Sequence, residues 1–200
     1  MVIILGDILA DYAIRVEQLE IQPKDLQRVS YLALGPGGAC NVAIMAAHLG
    51  LSVAALGEVG RDLFGEIVLE GLAAEGVDVS GVIITPDART PVANVLVDER
   101  GEPAYLGFPG SLTVMSLPGQ GRQRGRGHVN AGHFDLAGLL ASLKAKAEQM
   151  GAKRIVFDSI DVLLSLLNDS LAERRELYRL SDWLVSCGLT GIITLSLIHI

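Results

Sequence analysis

Residues 35–41 read Gly-Pro-Gly-Gly-Ala-Cys-Asn and lead directly into the alanine-rich, apolar residues 42–49. Gly37 and Gly38 carry no Cβ atom, so the backbone there can approach another group very closely. Asn41 stands where a loop is predicted to become a helix, and its side chain can cap that helix or reach a ligand. The segment therefore predicts one of two structures: a tight turn with a helix cap, or a ligand-binding loop.

Apolar runs on both sides of this segment predict buried strands. Residues 2–5 and residues 52–56 are apolar, and a glycine follows each run. The turn at residues 60–65 leads into a helix predicted over residues 66–75, and Gly76 stands where a C-cap glycine belongs. The alternation of strands and helices is typical of a parallel sheet with covering helices. We therefore predict an α/β fold.

Two carboxylates, Asp7 and Asp11, follow the first predicted strand. In open α/β sheets, ligands bind beyond the carboxyl ends of the strands. A carboxylate in that place can accept hydrogen bonds from the hydroxyls of a sugar. Two interpretations stay open at this point: acids of a binding site, or solvated loop acids.

The middle of the chain has the composition of short strands separated by turns. A β flap inserted into an α/β core can serve as a lid, and an ordinary sheet edge has the same composition. We predict two or three short antiparallel strands, over residues 81–85, 90–98 and 103–108.

The second part of the chain returns to an α/β pattern after a segment rich in glycine and arginine. The predicted elements are a helix over residues 134–150, a strand over 154–159, a helix over 171–187 and a strand over 190–195. The apolar stripe of the first of these helices consists of Leu136, Leu139, Leu140, Leu143 and Ala147. We predict a first domain over residues 1–117, a linker over 118–127, a second α/β part over 128–195, and a non-native tail over 196–200.

Composition narrows the classes of function. Half of the residues are apolar and a fifth are charged, which predicts a packed core. The net charge of −7 argues against a general nucleic-acid binder. The two cysteines are too few for a disulfide framework or a zinc site. The apolar N-terminus is short and acids interrupt it, so we expect no membrane segment and a cytoplasmic protein.

The first part of the chain resembles the N-terminal part of the ribokinase-type (PfkB) sugar and nucleoside kinases. The resemblance covers about residues 1–116 and rests on three motifs together: Gly-Asp-Ile-Leu-Ala-Asp at residues 6–11, Gly-Gly-Ala-Cys-Asn-Val-Ala at 37–43, and Gly-Glu-Val-Gly-Arg-Asp-Leu-Phe-Gly at 57–65. It implies a ribokinase-like fold, ATP and magnesium as cofactors, and a small sugar or nucleoside as substrate. The substrate-binding residues that it implies are Asp11, Gly37, Gly38 and Asn41.

The chain departs from this family in two places. The polar residue that the family usually has two positions before the acid is Leu9 here, which removes one hydroxyl-binding side chain. The family's Gly-Ala-Gly-Asp segment supplies the general base and the backbone N–H groups that steady the phosphates. No such segment occurs in this sequence, where Gly-Asp appears once, at residues 6–7. We therefore expect no catalytic residue and no phosphorylation by this chain.

The second part resembles the middle of a KaiC-type, RecA-like ATPase over about residues 127–194. The resemblance rests on Gly-His-Phe-Asp-Leu-Ala-Gly-Leu-Leu at residues 132–140 and Gly-Ala-Lys-Arg-Ile-Val-Phe-Asp-Ser at 151–159. It implies that Asp158 is a Walker B acid, which holds a magnesium-bound water. A phosphate loop also needs a Gly-Lys pair, and this sequence contains none.

We interpret the chain as two partial enzymes in one chimeric reading frame, with a last segment that resembles a translated sequencing adapter. Each part lacks strands that would complete its sheet, so we expect open sheet edges. Three functions remain: a phosphotransferase for a sugar or nucleoside, a polyol-binding module without catalysis, and a RecA-like nucleotide-binding fragment.

Overall fold

The computed structural model describes residues 1–20, 23–24, 26–110, 136–160 and 170–195. These residues form nine strands and four helices. In chain order they are β1 (Val2–Gly6), β2 (Ile8–Arg15), β3 (Tyr31–Gly38), α1 (Ala39–His48), β4 (Val53–Gly60), α2 (Leu63–Ala74), β5 (Asp78–Thr85), β6 (Val92–Val97), β7 (Pro103–Phe108), α3 (Leu136–Met150), β8 (Arg154–Asp158), α4 (Ser170–Ser186) and β9 (Thr190–Ile193). The predicted linker and the predicted tail lie outside the described residues.

A five-stranded sheet in the order β5-β4-β1-β8-β9 forms the centre of the molecule. Every neighbouring pair in it is parallel. All residues of β1 and β4 are buried, because helices cover both faces of a parallel sheet. The predicted α/β fold is confirmed. Within the described residues, no helix has the length and apolar character that crossing a bilayer requires.

Strand β8 pairs with β1, so strands from both predicted parts of the chain lie in one sheet. The register runs from Val2 beside Arg154 to Gly6 beside Asp158. Both strands are apolar on both faces, which lets each of them occupy an interior position in the sheet. The open edge that we expected on the first part is therefore covered by the second part at β1.

Two apolar clusters lie on opposite faces of this sheet. One cluster joins alternate residues of β1, β4 and β8 to α3 and α4, and the other joins the intervening residues to α1 and α2. The predicted stripe of α3 is buried in the first cluster, as its helical spacing requires: Leu136, Leu139, Leu140, Leu143 and Ala147. Strand alternation thus divides the apolar side chains between two helical layers.

A second, four-stranded sheet has the order β3-β2-β6-β7 and is mixed. The predicted antiparallel pairing is confirmed for β6 and β7. Residues 81–85, which we expected in the same flap, instead belong to β5 and pair in parallel with β4. Strands β2 and β3 were not predicted. Asp11 lies inside β2 rather than in a loop, and burial alternates at the start of that strand, where Ile8 and Ala10 are buried.

Asp62 ties the start of α2 to the connection between β5 and β6. Its carboxylate caps the helix by accepting a hydrogen bond from the N–H of Gly65 at 3.0 Å. It also accepts hydrogen bonds from the N–H of Thr90 at 3.0 Å and from the Thr90 hydroxyl at 2.7 Å. Burial acts to raise the pKa of Asp62, but these hydrogen bonds outweigh it and hold the pKa below the ordinary 3.8.

We expect Asp62→Ala to destabilise the protein by about 1 kcal/mol at neutral pH, because it removes the N-cap of α2 and the partner of Thr90. A carboxyl group whose pKa is lowered by folding stabilises the protein above its unfolded pKa, and that contribution is lost as the pH falls through the folded pKa. The difference from the wild type should therefore shrink below pH 3.8. Urea unfolding of both proteins at several pH values measures this difference in the free energy of unfolding.

The matched control for this prediction is Asp87→Ala, in the exposed turn after β5. This variant should unfold like the wild type at every pH. A stability loss in Asp62→Ala that stays constant through the acid range would contradict the assigned role of the carboxylate.

A second prediction concerns the continuity of the large sheet. Leu56, on β4, is fully buried in the same cluster as Leu180 and Leu184 of α4. Trp183, the one tryptophan of the chain, packs against that cluster. We expect Leu56→Ala to destabilise the protein by about 2–5 kcal/mol, through the cavity that it leaves. Because β4 and α4 contribute to the same cluster, this loss of stability should also lower the urea midpoint that Trp183 fluorescence reports.

Leu49→Ala is the control, because the Leu49 side chain lies at the surface with 78% of its area exposed. Its free energy of unfolding should stay within about 0.5 kcal/mol of that of the wild type. If Leu56→Ala changes the circular dichroism transition and leaves the Trp183 transition in place, the two parts of the chain unfold independently and the shared cluster is refuted.

Candidate functional site

Asp11 lies directly against the backbone of Gly37. The two strands β2 and β3 are antiparallel, with Asp11 beside Gly35 and Leu9 beside Gly37. A Cβ atom built on Gly37 would lie 2.2 Å from Cγ of Asp11 and 2.4 Å from each carboxylate oxygen. Only glycine leaves room for the carboxylate in this position.

Gly38 has a different role, since it turns the chain from β3 into α1. Its φ of +59° is in the region that favours glycine, and a Cβ there would lie 2.5 Å from the carbonyl oxygen of Asp7. The N–H of Ala39 donates to that same oxygen at 3.0 Å. The two adjacent glycines thus solve two separate steric problems: one makes room for a carboxylate and the other starts a helix.

Asn41 lies in the first turn of α1 and is exposed. Its side chain forms a hydrogen bond with Asp11, and no side chain caps α1. Of the two roles that we left open for Asn41, the structure does not show the helix cap, and the role of reaching a ligand stays a prediction. Burial raises the pKa of Asp11 above the ordinary 3.8, and the hydrogen bond from Asn41 offsets part of that rise.

Small residues surround Asp11 along a row across the four-stranded sheet. Strand pairing places Gly35 on one side of Asp11 and Ala93 on the other, with Gly107 beyond Ala93. Cβ atoms built on Gly35 and Gly107 would meet nothing within 4 Å. The carboxylate therefore stands in a shallow open row on this face of the sheet. Ala93 and Gly107 were not predicted as neighbours of Asp11, because their position depends on strand register.

Cys40 lies beneath the site and is buried. Burial raises the pKa of its thiol to about 12, since the thiolate would lose its hydration there. A thiol with such a pKa stays protonated at neutral pH. Cys40 is therefore a small packed residue of the apolar cluster on the α1 side of the sheet.

Asp158 lies elsewhere, at the end of β8 in the five-stranded sheet and beside Gly6. Its carboxylate accepts a hydrogen bond from the Thr194 hydroxyl at 2.5 Å. Within the described residues, no three His, Cys, Asp or Glu side chains cluster closely enough to hold a metal ion. A magnesium nucleotide needs several oxygen ligands and an N–H cradle for its phosphates. The described surroundings of Asp158 do not fit that group, and its role as a magnesium ligand stays a prediction.

The four predicted substrate-binding residues thus meet at one place, where β2, β3 and the start of α1 converge: Asp11, Gly37, Gly38 and Asn41. The site combines a carboxylate that accepts hydrogen bonds with an amide that can donate and accept them. Together with the N-terminus of a helix, these groups can bind neighbouring hydroxyls of a small ligand.

The two parts of the chain match two different families of known proteins. The model described as "pfkB family carbohydrate kinase" matches residues 1–124, and the KaiC ATPase model matches residues 110–198. The ATP-dependent ribose-1-phosphate kinase of Halopiger xanaduensis is 35% identical over 105 residues, which are 52% of this chain and 36% of that kinase. The circadian clock protein KaiC2 of Synechocystis is 43% identical over 63 residues, which are 32% of this chain and 11% of that protein.

The fold is also that of solved kinases. The structure of Arabidopsis thaliana ribokinase complexed with ribose and ATP aligns with a TM-score of 0.62 and 16% identity, over 98% of this chain and 53% of that one. The chain thus spans about half the length of this structure and 36% of the Halopiger kinase. The kinase model matches residues 1–124, which are more than half of the 200 residues of this chain. The chain therefore belongs to the pfkB family of carbohydrate kinases.

Proposed function

We propose that the first part of this chain binds a sugar or nucleoside through Asp11, Gly37, Gly38 and Asn41. The observation that carries the proposal is the Asp11 carboxylate, which packs against Gly37 and accepts a hydrogen bond from Asn41. Such a group costs stability through burial, as its raised pKa records. A ligand that donates hydrogen bonds to the carboxylate would recover that cost.

Binding would proceed through hydroxyl groups. An ionised carboxylate accepts two or more hydrogen bonds, and charge-assisted bonds of this kind are stronger than neutral ones. Gly37 leaves room for both oxygens of the Asp11 carboxylate, and two oxygens can accept hydrogen bonds from a pair of neighbouring hydroxyls. Asn41 would hold one carboxylate oxygen in place and offer its remaining amide capacity to the ligand.

We further propose that this chain binds its ligand without phosphorylating it. Curated relatives include kinases that are named as ATP-dependent, and members of the family are carbohydrate kinases. The general base and the anion-binding N–H groups that such a reaction needs would come from the Gly-Ala-Gly-Asp segment, which this sequence lacks. Without that segment, the sequence lacks the general base that the family resemblance implies.

The match of residues 110–198 to the KaiC model supports a second candidate, a RecA-like nucleotide-binding fragment. Against it, the sequence has no Gly-Lys pair to hold phosphates. We infer that ATP binds this part weakly or not at all. The two-part origin of the chain, as a chimeric reading frame, remains our hypothesis.

We expect Asp11→Asn to weaken binding of ribose, fructose or a nucleoside by about tenfold or more, because the neutral amide cannot replace a charge-assisted acceptor. Isothermal titration calorimetry with this panel measures the effect. Asp182→Asn, the same change on the exposed face of α4, is the control and should bind like the wild type. Equal affinities of the two variants would overturn the assignment of Asp11.

The same site predicts a pH dependence. Binding requires the ionised carboxylate, and the pKa of Asp11 is raised above 3.8 by burial. Affinity should therefore be constant at neutral pH and fall as the pH drops through that raised pKa. Asp11→Asn should lack this fall, and a wild-type affinity that is flat down to pH 3.8 would contradict the proposal.

We expect no ATP-dependent phosphorylation of any sugar in the panel. Coupled detection of ADP release, with an active kinase of the same family assayed in parallel, provides the measurement. A rate clearly above the protein-free background would show that this chain supplies a general base that we have not identified.

A further inference from the structure

Helix α4 carries an exposed apolar stripe in addition to the apolar face that it buries. The buried face contains Leu180 and Leu184, which pack into the cluster on the α3 side of the large sheet. On the other side of the helix, Leu171, Tyr178 and Val185 are 75%, 74% and 78% exposed. The outer side of a surface helix is normally polar, so the fold of a single chain does not explain this stripe.

The spacing of the stripe is that of a helix packed along another helix. Its three residues follow one another at intervals of seven, which places them in one line along α4. Two exposed residues that are also seven apart, Arg175 and Asp182, flank this line on one side. Arg174 and Ser181, again seven apart and exposed, flank it on the other side. The stripe thus has an apolar centre with polar side chains on both flanks.

The charges on the flanks make the stripe complementary to an antiparallel copy of itself. Tyr178 is the middle residue, and a twofold axis beside it would place Leu171 of one copy against Val185 of the other. The same rotation keeps each flank on its own side, so Arg175 of each copy comes level with Asp182 of the second copy. A parallel pairing would instead bring Arg175 beside an arginine of the other copy, and these like charges would repel.

We propose that α4 is a dimerisation surface, which pairs antiparallel with α4 of a second copy of this chain around Tyr178. The two tyrosine rings meet at the axis, where offset stacking adds to the burial of apolar area. Arg175 contacts Glu176 through Nε at 3.3 Å, and its other guanidinium N–H groups can bond Asp182 of the second copy. One helix of 17 residues from each copy makes a small interface, so we expect a dissociation constant in the micromolar range or weaker. This inference is independent of the proposed ligand site.

The test is sedimentation velocity of the full 200-residue chain at concentrations from about 5 µM to about 1 mM. We expect the average mass to rise with concentration from that of one chain toward that of two. Tyr178→Asp should stay monomeric over the same range, because it places two carboxylates next to each other at the axis. The matched control is Tyr105→Asp, the same change at an exposed tyrosine of β7, and it should associate like the wild type.

Charge reversal on the flank tests the antiparallel orientation. Arg175→Asp and Asp182→Arg should each weaken the dimer by about threefold or more, because each change replaces two attractive pairs by two repulsive ones. The variant that combines both changes restores opposite charges at each pair and should recover most of the wild-type affinity. Such a recovery separates a lost contact between copies from a damaged fold, since the combined variant carries both substitutions.

Three results would overturn the proposal. The first is a wild-type chain that stays monomeric up to about 1 mM. The second is association that Tyr178→Asp leaves intact, which would place the contact on another surface, and loss of the dimer in Tyr105→Asp would identify that surface as the small sheet. The third is a dimer that Arg175→Asp strengthens, because only a parallel pairing places this residue beside an arginine. None of these results bears on ligand binding at Asp11.

Discussion

The parallel backbone ladders on both sides of β1 hold the two parts of the chain in one sheet. β4 and β5 attach through one edge of β1, and β8 and β9 attach through the other. Gly6, the last residue of β1, lies beside Asp158 so closely that a Cβ there would lie 1.7 Å from the Asp158 carbonyl oxygen. The approach of β8 therefore requires glycine at this point, and both apolar clusters depend on the pairing.

The proposed site is built next to the carboxyl end of β1. Asp7 leaves β1, its carbonyl oxygen accepts the N–H of Ala39 at the start of α1, and β2 begins one residue later. Asp11 and Asn41 are thereby brought together from two different elements. Glycine at positions 37 and 38 allows the close backbone approach on which the site depends.

Much of the architecture could be predicted from periodicity. The apolar runs of β1 and β8 and the stripe of α3 are continuous in the sequence, and their burial follows from local pattern alone. β2 and β3 escaped prediction because β2 has buried residues on one face only, and because glycine and proline in β3 are typical of a turn. Residues 81–85 were assigned to the wrong sheet, because composition does not tell which partner a strand will choose.

The sequence by itself determined the chemistry that is present: a carboxylate near a glycine pair and an asparagine, an apolar Leu9 beside it, and no Gly-Ala-Gly-Asp segment. Only the tertiary structure decided which groups meet. The row of Gly35, Asp11 and Ala93, and the pairing of β1 with β8, each join residues that are distant in the chain. Such contacts depend on strand register, which is set by the packing of whole faces against a shared core and leaves no local mark in the sequence.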